Sequence, residues 1–219
     1  MSQLIFKFPY KKSYFKKDFY VSSNNFEAHR LIETWPKWPS KWINIFGPHG
    51  CGKTHLSKIL NQKIKSIIVE AEEIDNEVIN SLSDYECLII ENYKDNIKED
   101  LFYSLLNNID LSGKSVLVNS LEALNSKKTK LPDLNSRFEL FLKIGINLPT
   151  DDLLNVIIYK FFSEKQVNLD SKVLNFILKN IERSYDAVFK VVKDLDDISL
   201  STGKTININL VKKVLKLNE

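Results

Sequence analysis

The sequence predicts an α/β fold: a parallel five-stranded sheet flanked by helices, followed by a small all-helical domain. Three observations carry this. The apolar run Trp42-Ile43-Asn44-Ile45-Phe46 passes through a glycine-rich stretch into Leu56-Ser57-Lys58-Ile59-Leu60, which has helical spacing. That order is strand, turn, helix. Further short apolar runs alternate with helical stretches as far as Ile146, the pattern of parallel strands joined by helical crossovers. Beyond Pro149-Thr150-Asp151-Asp152 the periodicity is helical throughout.

Residues 1–17 are aromatic and basic and precede any helical period, so they read as an extended arm. Exposed Leu and Phe on such an arm can anchor in a partner's pocket; the alternative is that they fold back on the protein's own core. Phe19-Tyr20-Val21 is a short apolar segment. Ser22 to Asn25 form a cap cluster, and Phe26 to Ile32 read as a helix that ends before Pro36 and Pro39. Ser66–Glu70 is the second strand and Asn76–Leu82 a short helix. Tyr85–Asn92 is a buried strand ending in polar groups. Leu101, Phe102, Leu105, Leu106 and Ile109 share one helical face, Ser115–Ser120 is the fourth strand, and Leu140–Ile146 the fifth. Four helices follow, with apolar stripes at Leu153 to Phe161, Leu174 to Leu178, Val188 to Leu195 and Leu210 to Leu215. The predicted organisation is an arm at 1–17, an α/β domain at 18–149 and a helical domain at 150–219.

The stretch Gly47-Pro48-His49-Gly50-Cys51-Gly52-Lys53-Thr54 has the spacing G-x-x-x-x-G-K-T of a phosphate-binding P-loop. Glycines let the backbone curl so that several N–H groups point into one hollow at a helix N-terminus, where unpaired donors and the helix dipole favour an anion. Lys53 is placed for the β- and γ-phosphates and the Thr54 hydroxyl for Mg²⁺. An acid at the end of a neighbouring strand completes such a metal site, and Glu91 stands there. The next residue, where a base for the attacking water would sit, is Asn92, which cannot take a proton. The pattern therefore favours nucleotide binding over hydrolysis. Asn119, at the end of the fourth strand, is placed to touch the γ-phosphate or the lytic water, or to close a plain turn. Arg137, in Leu131-Pro132-Asp133-Leu134-Asn135-Ser136-Arg137-Phe138, follows a turn and reads either as a finger toward a neighbouring subunit's nucleotide or as a surface ion pair. His49 and His55 flank the loop without metal spacing.

The chain has 219 residues, enough for one large domain or two smaller ones. Its net charge of +3 is a weak case for nucleic acid. The two cysteines have neither disulfide nor zinc spacing, no apolar run reaches membrane-span length, and no signal peptide is visible. A cytoplasmic protein with no membrane association is expected.

The run from Gly47 through Lys53-Thr54-His55-Leu56 resembles the P-loop of the bacterial replication-initiator DnaA family. Phe19-Tyr20-Val21 followed by Asn25-Phe26-Glu27-Ala28 is similar to the segment that in this family lies against adenine. Leu134-Asn135-Ser136-Arg137-Phe138 is similar to its L-x-S-R-F box, and Ser199 to Leu215 to the end of its helical lid. The resemblance covers almost the whole chain and implies a P-loop (AAA+) sheet with a lid. It implies ADP or ATP with Mg²⁺, held by Phe19, Tyr20, Asn25, Pro48, His49, Gly50, Cys51, Gly52, Lys53, Thr54 and His55. Thr54 and Glu91 would face the metal, and Asn119 and Arg137 would act in catalysis, Arg137 in trans. Nothing after Leu217 is expected to form the initiator's DNA-binding domain, so no sequence-specific DNA binding is expected.

The short form resembles the Hda-like members, which begin with a sliding-clamp peptide of the form Q-L-x-L-x-L/F. Gln3, Leu4, Phe6 and Phe8 stand in those places, with Phe6 in place of the usual Leu. The resemblance implies a regulator that, with the DNA-loaded clamp, stimulates ATP hydrolysis on DnaA. A trans-acting arginine also implies association, with a homodimer among the options. Two residues depart from the family: Asn92 replaces its second acid, and its lid arginine falls near Asp186-Ala187, with only Arg183 close by. The alternative is a stand-alone AAA+ ATPase, acting as a helicase loader or as a DnaA-like DNA-remodelling or recruitment factor.

Overall fold

The computed structural model describes residues 16–94 and 97–217. Gln3, Leu4, Phe6 and Phe8 lie outside the described residues. The chain divides into two compact units, with the division between Asn147 and Leu148.

The first unit is built on five parallel strands: β1 (Trp42–Phe46), β2 (Ser66–Glu70), β3 (Cys87–Tyr93), β4 (Ser115–Ser120) and β5 (Leu142–Gly145). Their order across the sheet is β2-β3-β4-β1-β5. Parallel strands need helical crossovers, and these are α2 (Lys53–Lys63), α3 (Asn76–Ser81), α4 (Glu99–Leu111) and α5 (Pro132–Glu139), while α1 (Phe26–Glu33) precedes β1. Leu88, Ile90, Val116 and Val118 on the strands pack with Phe102, Leu105 and Phe138 from the helices in one apolar cluster. Strands this apolar, covered by helices, fit a sheet buried on both faces.

Asn44 interrupts the apolar pattern of β1 and is fully buried. Its Nδ2 donates to the Val118 carbonyl and to Ser120 Oγ, both at 2.9 Å, and its Oδ1 accepts from the Leu124 N–H at 3.0 Å. The side chain thus ties β1 to β4 and to the loop that follows it.

Three elements differ from expectation. β3 starts at Cys87, because Tyr85 closes a short turn by donating its N–H to the Leu82 carbonyl at 3.1 Å. β5 starts at Leu142, because Leu140 caps α5 with an N–H bond to the Arg137 carbonyl at 3.1 Å. The stretch expected as a turn before Arg137 is α5 itself. Pro132 starts it, as the fixed φ and missing N–H of proline suit a first helical turn. Leu134 and Phe138 are its buried face.

The second unit holds α6 (Asp151–Glu164), α7 (Ser171–Asn180), α8 (Tyr185–Thr202) and α9 (Ile208–Leu215). Each begins with a side-chain cap: Thr150, Asp170, Ser184 and Asn207 accept backbone N–H groups of the first turn. Gly203 ends α8 in the left-handed conformation. Leu154, Ile158, Phe162, Ile177, Val188, Val192, Leu195 and Val211 form the core and are fully buried. Among the described residues, no helix is long and apolar enough to cross a membrane.

Replacing Asn44 with Ala would orphan the Leu124 N–H and remove two donors from buried acceptors. With about 1–3 kcal/mol for each buried group left unpaired, Asn44→Ala is expected to lower stability by roughly 2–4 kcal/mol in urea unfolding.

Candidate nucleotide site

The P-loop leaves the C-terminal end of β1. Gly47 donates its N–H to the Ser120 carbonyl at 3.2 Å, which holds the loop against the end of β4. A Cβ at Gly47 would lie 2.5 Å from the Ile146 carbonyl oxygen, so this position needs glycine. Gly52 caps α2 with φ of 101°, a conformation natural to glycine. A Cβ there would come within 2.9 Å of the Phe19 ring.

Lys53 is the first residue of α2. Its Nζ donates to the Gly47 carbonyl at 2.7 Å and the Pro48 carbonyl at 3.0 Å, with Cys51 Sγ 3.6 Å away. The ammonium therefore lies inside the curl of the loop. One residue on, Thr54 Oγ1 donates to Glu91 Oε2 at 2.9 Å. Asn119 Nδ2 donates to Glu91 Oε1 and to Ser57 Oγ, both at 2.8 Å. Glu91 is 2% exposed. Asn119 Oδ1, also buried, has no hydrogen-bond partner among the described residues. A cleft lined by His49, Lys53, Asn92, Tyr93, Asn119 and Ser120 opens beside this array.

A buried carboxylate bonded by two neutral donors is costly. Together with the Thr54 hydroxyl it makes a hard oxygen donor set, which suits Mg²⁺. The residues present therefore fit that ion. Thr54 and Glu91 would hold it, and it would supply charge neutralisation to a bound phosphate group.

On the other side of the loop the Phe19 ring stacks on His29, with centroids 5.7 Å apart and planes at 9°. It meets His55 edge-on at 5.3 Å. Asn25 is buried, and its Nδ2 donates to the Tyr20 carbonyl at 3.0 Å while its Oδ1 accepts from the Ser22 N–H at 2.9 Å. The amide fixes the path of the chain just after Phe19. Tyr20 is exposed.

The structure thus brings Lys53, Thr54, Glu91, Asn119 and His49 together, with Phe19, Asn25 and His55 on the adjoining wall. Arg137 lies elsewhere. Its Nη1 is 3.1 Å from Asp110 Oδ2, and its guanidinium carbon stands 5.5 Å from the centre of the Trp42 ring. Trp42 starts β1, whereas the P-loop follows its end. At about 3.3 Å per residue, Arg137 sits at the opposite edge of the sheet from Lys53. In the helical unit, Arg183 Nε pairs with Asp151 Oδ1 at 3.1 Å.

Sequence reasoning missed Ser57, His29 and Asn44. Ser57 carried one signal: it lies three residues after Thr54, hence on the same helical face. His29 carried none, since its partner Phe19 is distant in sequence.

Burial pushes the Cys51 thiol above its ordinary value, more strongly than the Lys53 ammonium pulls it down. Burial likewise raises Cys87, to about 12. His29 is held below its ordinary 6.5 chiefly by burial; Glu33 opposes this, while Lys16 and Lys63 add to it.

A family model described as the lid domain of Hda matches residues 161–215. The DnaA initiator of Borrelia duttonii is 27% identical over 94% of this chain, but the match spans 48% of the initiator, so the chain covers about half the length of that relative. Domain III of Thermotoga maritima DnaA superposes with a TM-score of 0.77 at 20% identity, over 95% of this chain and 98% of that one. DnaA of Aquifex aeolicus, solved with bound AMPPCP, gives 0.66 at 20% identity, over 84% of this chain and 65% of that one. A five-stranded parallel P-loop sheet followed by a helical region of lid type is an AAA+ fold, the fold of domain III of DnaA. Residues 161–215 resemble the Hda lid, and the chain as a whole is similar in sequence to the DnaA initiators.

Two outcomes test this geometry. Gly52→Ala forces an alanine into the left-handed region and against the Phe19 ring. It is expected to cost about 1–3 kcal/mol, read by thermal melting. For His29, the lowered value in the fold means that acid favours the unfolded chain. Its contribution is present above pH 6.5 and is lost as pH falls from there through the lowered value. The melting temperature of the native protein is therefore expected to drop more steeply below that pH than that of a His29→Phe variant.

Proposed function

We propose that this chain binds ATP or ADP with Mg²⁺ at its P-loop and regulates the start of DNA replication by acting on DnaA. In this reading Arg137 is presented to the nucleotide held by DnaA and stimulates its hydrolysis there. Gln3, Leu4, Phe6 and Phe8 dock on the DNA-loaded sliding clamp, and the work is done in the cytoplasm. Two copies of the chain associating through the same arginine edge would be the homodimeric form of the same contact.

The observation that carries the reading is the position of Arg137. At the far edge of the sheet from Lys53 it cannot serve its own nucleotide, so an arginine finger there must act on a neighbour. Its restraints are light. The Asp110 pair is partly exposed, with side-chain exposures of 26% and 55%, and such pairs are worth about 0–1 kcal/mol. The contact with Trp42 adds about 0.5–1 kcal/mol. A docked partner can draw Arg137 out at small cost. The nucleotide half is supported by the Thr54–Glu91–Asn119 array beside Lys53, and by the AMPPCP bound to the Aquifex aeolicus relative.

The test is hydrolysis of DnaA-bound ATP in the presence of clamp, DNA and this protein. Arg137→Ala is expected to reduce the stimulation about 10³-fold or more, the usual worth of a trans-acting arginine, while ATP binding by the chain itself is unchanged. A variant as active as wild type would contradict the finger. Removing residues 1–9 is expected to abolish co-purification with the clamp and leave nucleotide binding intact.

A further inference from the structure

Asn92 occupies the place where a hydrolytic site would hold its base, and an amide cannot accept a proton. The structure shows what stands beside it. Glu70 ends β2 and is in register with Glu91 on β3. One residue later the backbone of Asn92 turns left-handed, with φ of 54°, and the register with β4 shifts between Ile90 and Tyr93. The Asn92 side chain is exposed, and its Nδ2 donates to Glu70 Oε2 at 2.9 Å.

Asn92 and Lys94 border two adjoining hollows. One is the cleft of Lys53 and Asn119; the other is lined by Glu70, Ala71 and Glu72. The Glu70 carboxylate therefore lines the hollow next to the P-loop cleft, hydrogen-bonded to the residue that took the base's place and that borders both. An independent observation points into the same cleft. Asn119 lines it, is fully buried, and keeps Oδ1 without a partner among the described residues. A carbonyl oxygen so placed accepts a hydrogen bond from a water or ligand hydroxyl.

We propose that Glu70 is the general base for hydrolysis of ATP bound to this chain's own P-loop, with Asn92 as its positioning residue. A water O–H gives its proton to the Glu70 carboxylate. The water oxygen forms a bond to the γ-phosphorus, and the bond from that phosphorus to the β–γ bridging oxygen breaks. ADP leaves with that electron pair, and inorganic phosphate is the second product. Two neighbouring strands thus share a task that one strand end usually holds: the carboxylate comes from β2 and its hydrogen-bond donor from β3. The rate of this step would set how long the chain stays in its ATP form. This inference rests on the nucleotide-binding half of the proposed function and is independent of DnaA and the clamp.

The experiment pairs single-turnover hydrolysis of γ-labelled ATP by the full chain with ATP affinity measured by a fluorescent analogue. Glu70→Gln is expected to slow turnover about 10²-fold or more, the usual worth of a positioned base, with affinity unchanged within about twofold. The double variant Glu70→Gln with Asn92→Glu is expected to recover much of the rate, because a carboxylate returns to the same hydrogen-bonded pair. Should Glu70→Gln melt well below wild type, Asn92→Ala carries the test: a rate loss of about tenfold supports the proposal and an unchanged rate overturns it. Glu70→Gln turning over at the wild-type rate, or a wild-type chain that binds ATP and never hydrolyses it, would also overturn it. A wild-type chain that binds no ATP would instead remove the nucleotide reading beneath it.

Discussion

The buried carboxylate of Glu91, held between the Thr54 hydroxyl and the Asn119 amide, is the constraint on which the site depends. It joins three elements: the helix that follows the P-loop, and the strands β3 and β4. Burying a carboxylate against neutral donors is unfavourable, and an apolar residue of similar size would pack at lower cost. The arrangement makes physical sense as preparation for a cation and phosphates at the mouth of the loop. The apolar strands supply the stability that lets one charged group remain there.

The sheet order converts this local array into a division of labour between edges. β1 lies between β4 and β5, and β4 lies between β1 and β3, so the C-terminal ends of β1, β3 and β4 are neighbours. Lys53, Glu91 and Asn119 follow from that adjacency. The N-terminal edge carries Trp42, Asp110 and Arg137, a cation resting on an aromatic ring and a partly exposed carboxylate. A parallel sheet gives every strand the same direction, so residues at strand starts and residues after strand ends lie on opposite edges. That separation places one set around the P-loop cleft and the other at the opposite edge of the sheet.

Much of this was legible in the sequence because it is local. The P-loop is a contiguous stretch whose glycines have a steric reason, and the apolar runs mark five strands. The helical unit announces itself through its apolar stripes. What was not legible depends on distant pairs. Asn44 reads as a flaw in a strand until β4 lies beside it, and Ser57 reads as a solvent residue until Asn119 reaches it across the sheet. His29 meets Phe19 only because the chain folds back over the loop. The helix carrying Arg137 is too short for a period to stand out, and its proline suggested a turn. The substitution at Asn92 was visible as a loss, but its bond to Glu70 belongs to two strands far apart in sequence.

The most direct test of the central claim is calorimetric titration of the purified chain with ATP and with ADP, each with and without magnesium. Saturable binding is expected, strengthened by magnesium for the wild type, less dependent on it in Glu91→Gln, and weakened at least about tenfold in Lys53→Ala, since a lost charge-assisted contact of ~1.5–3 kcal/mol corresponds to a factor of that order. Absence of binding to either nucleotide by the folded wild-type chain would contradict the account.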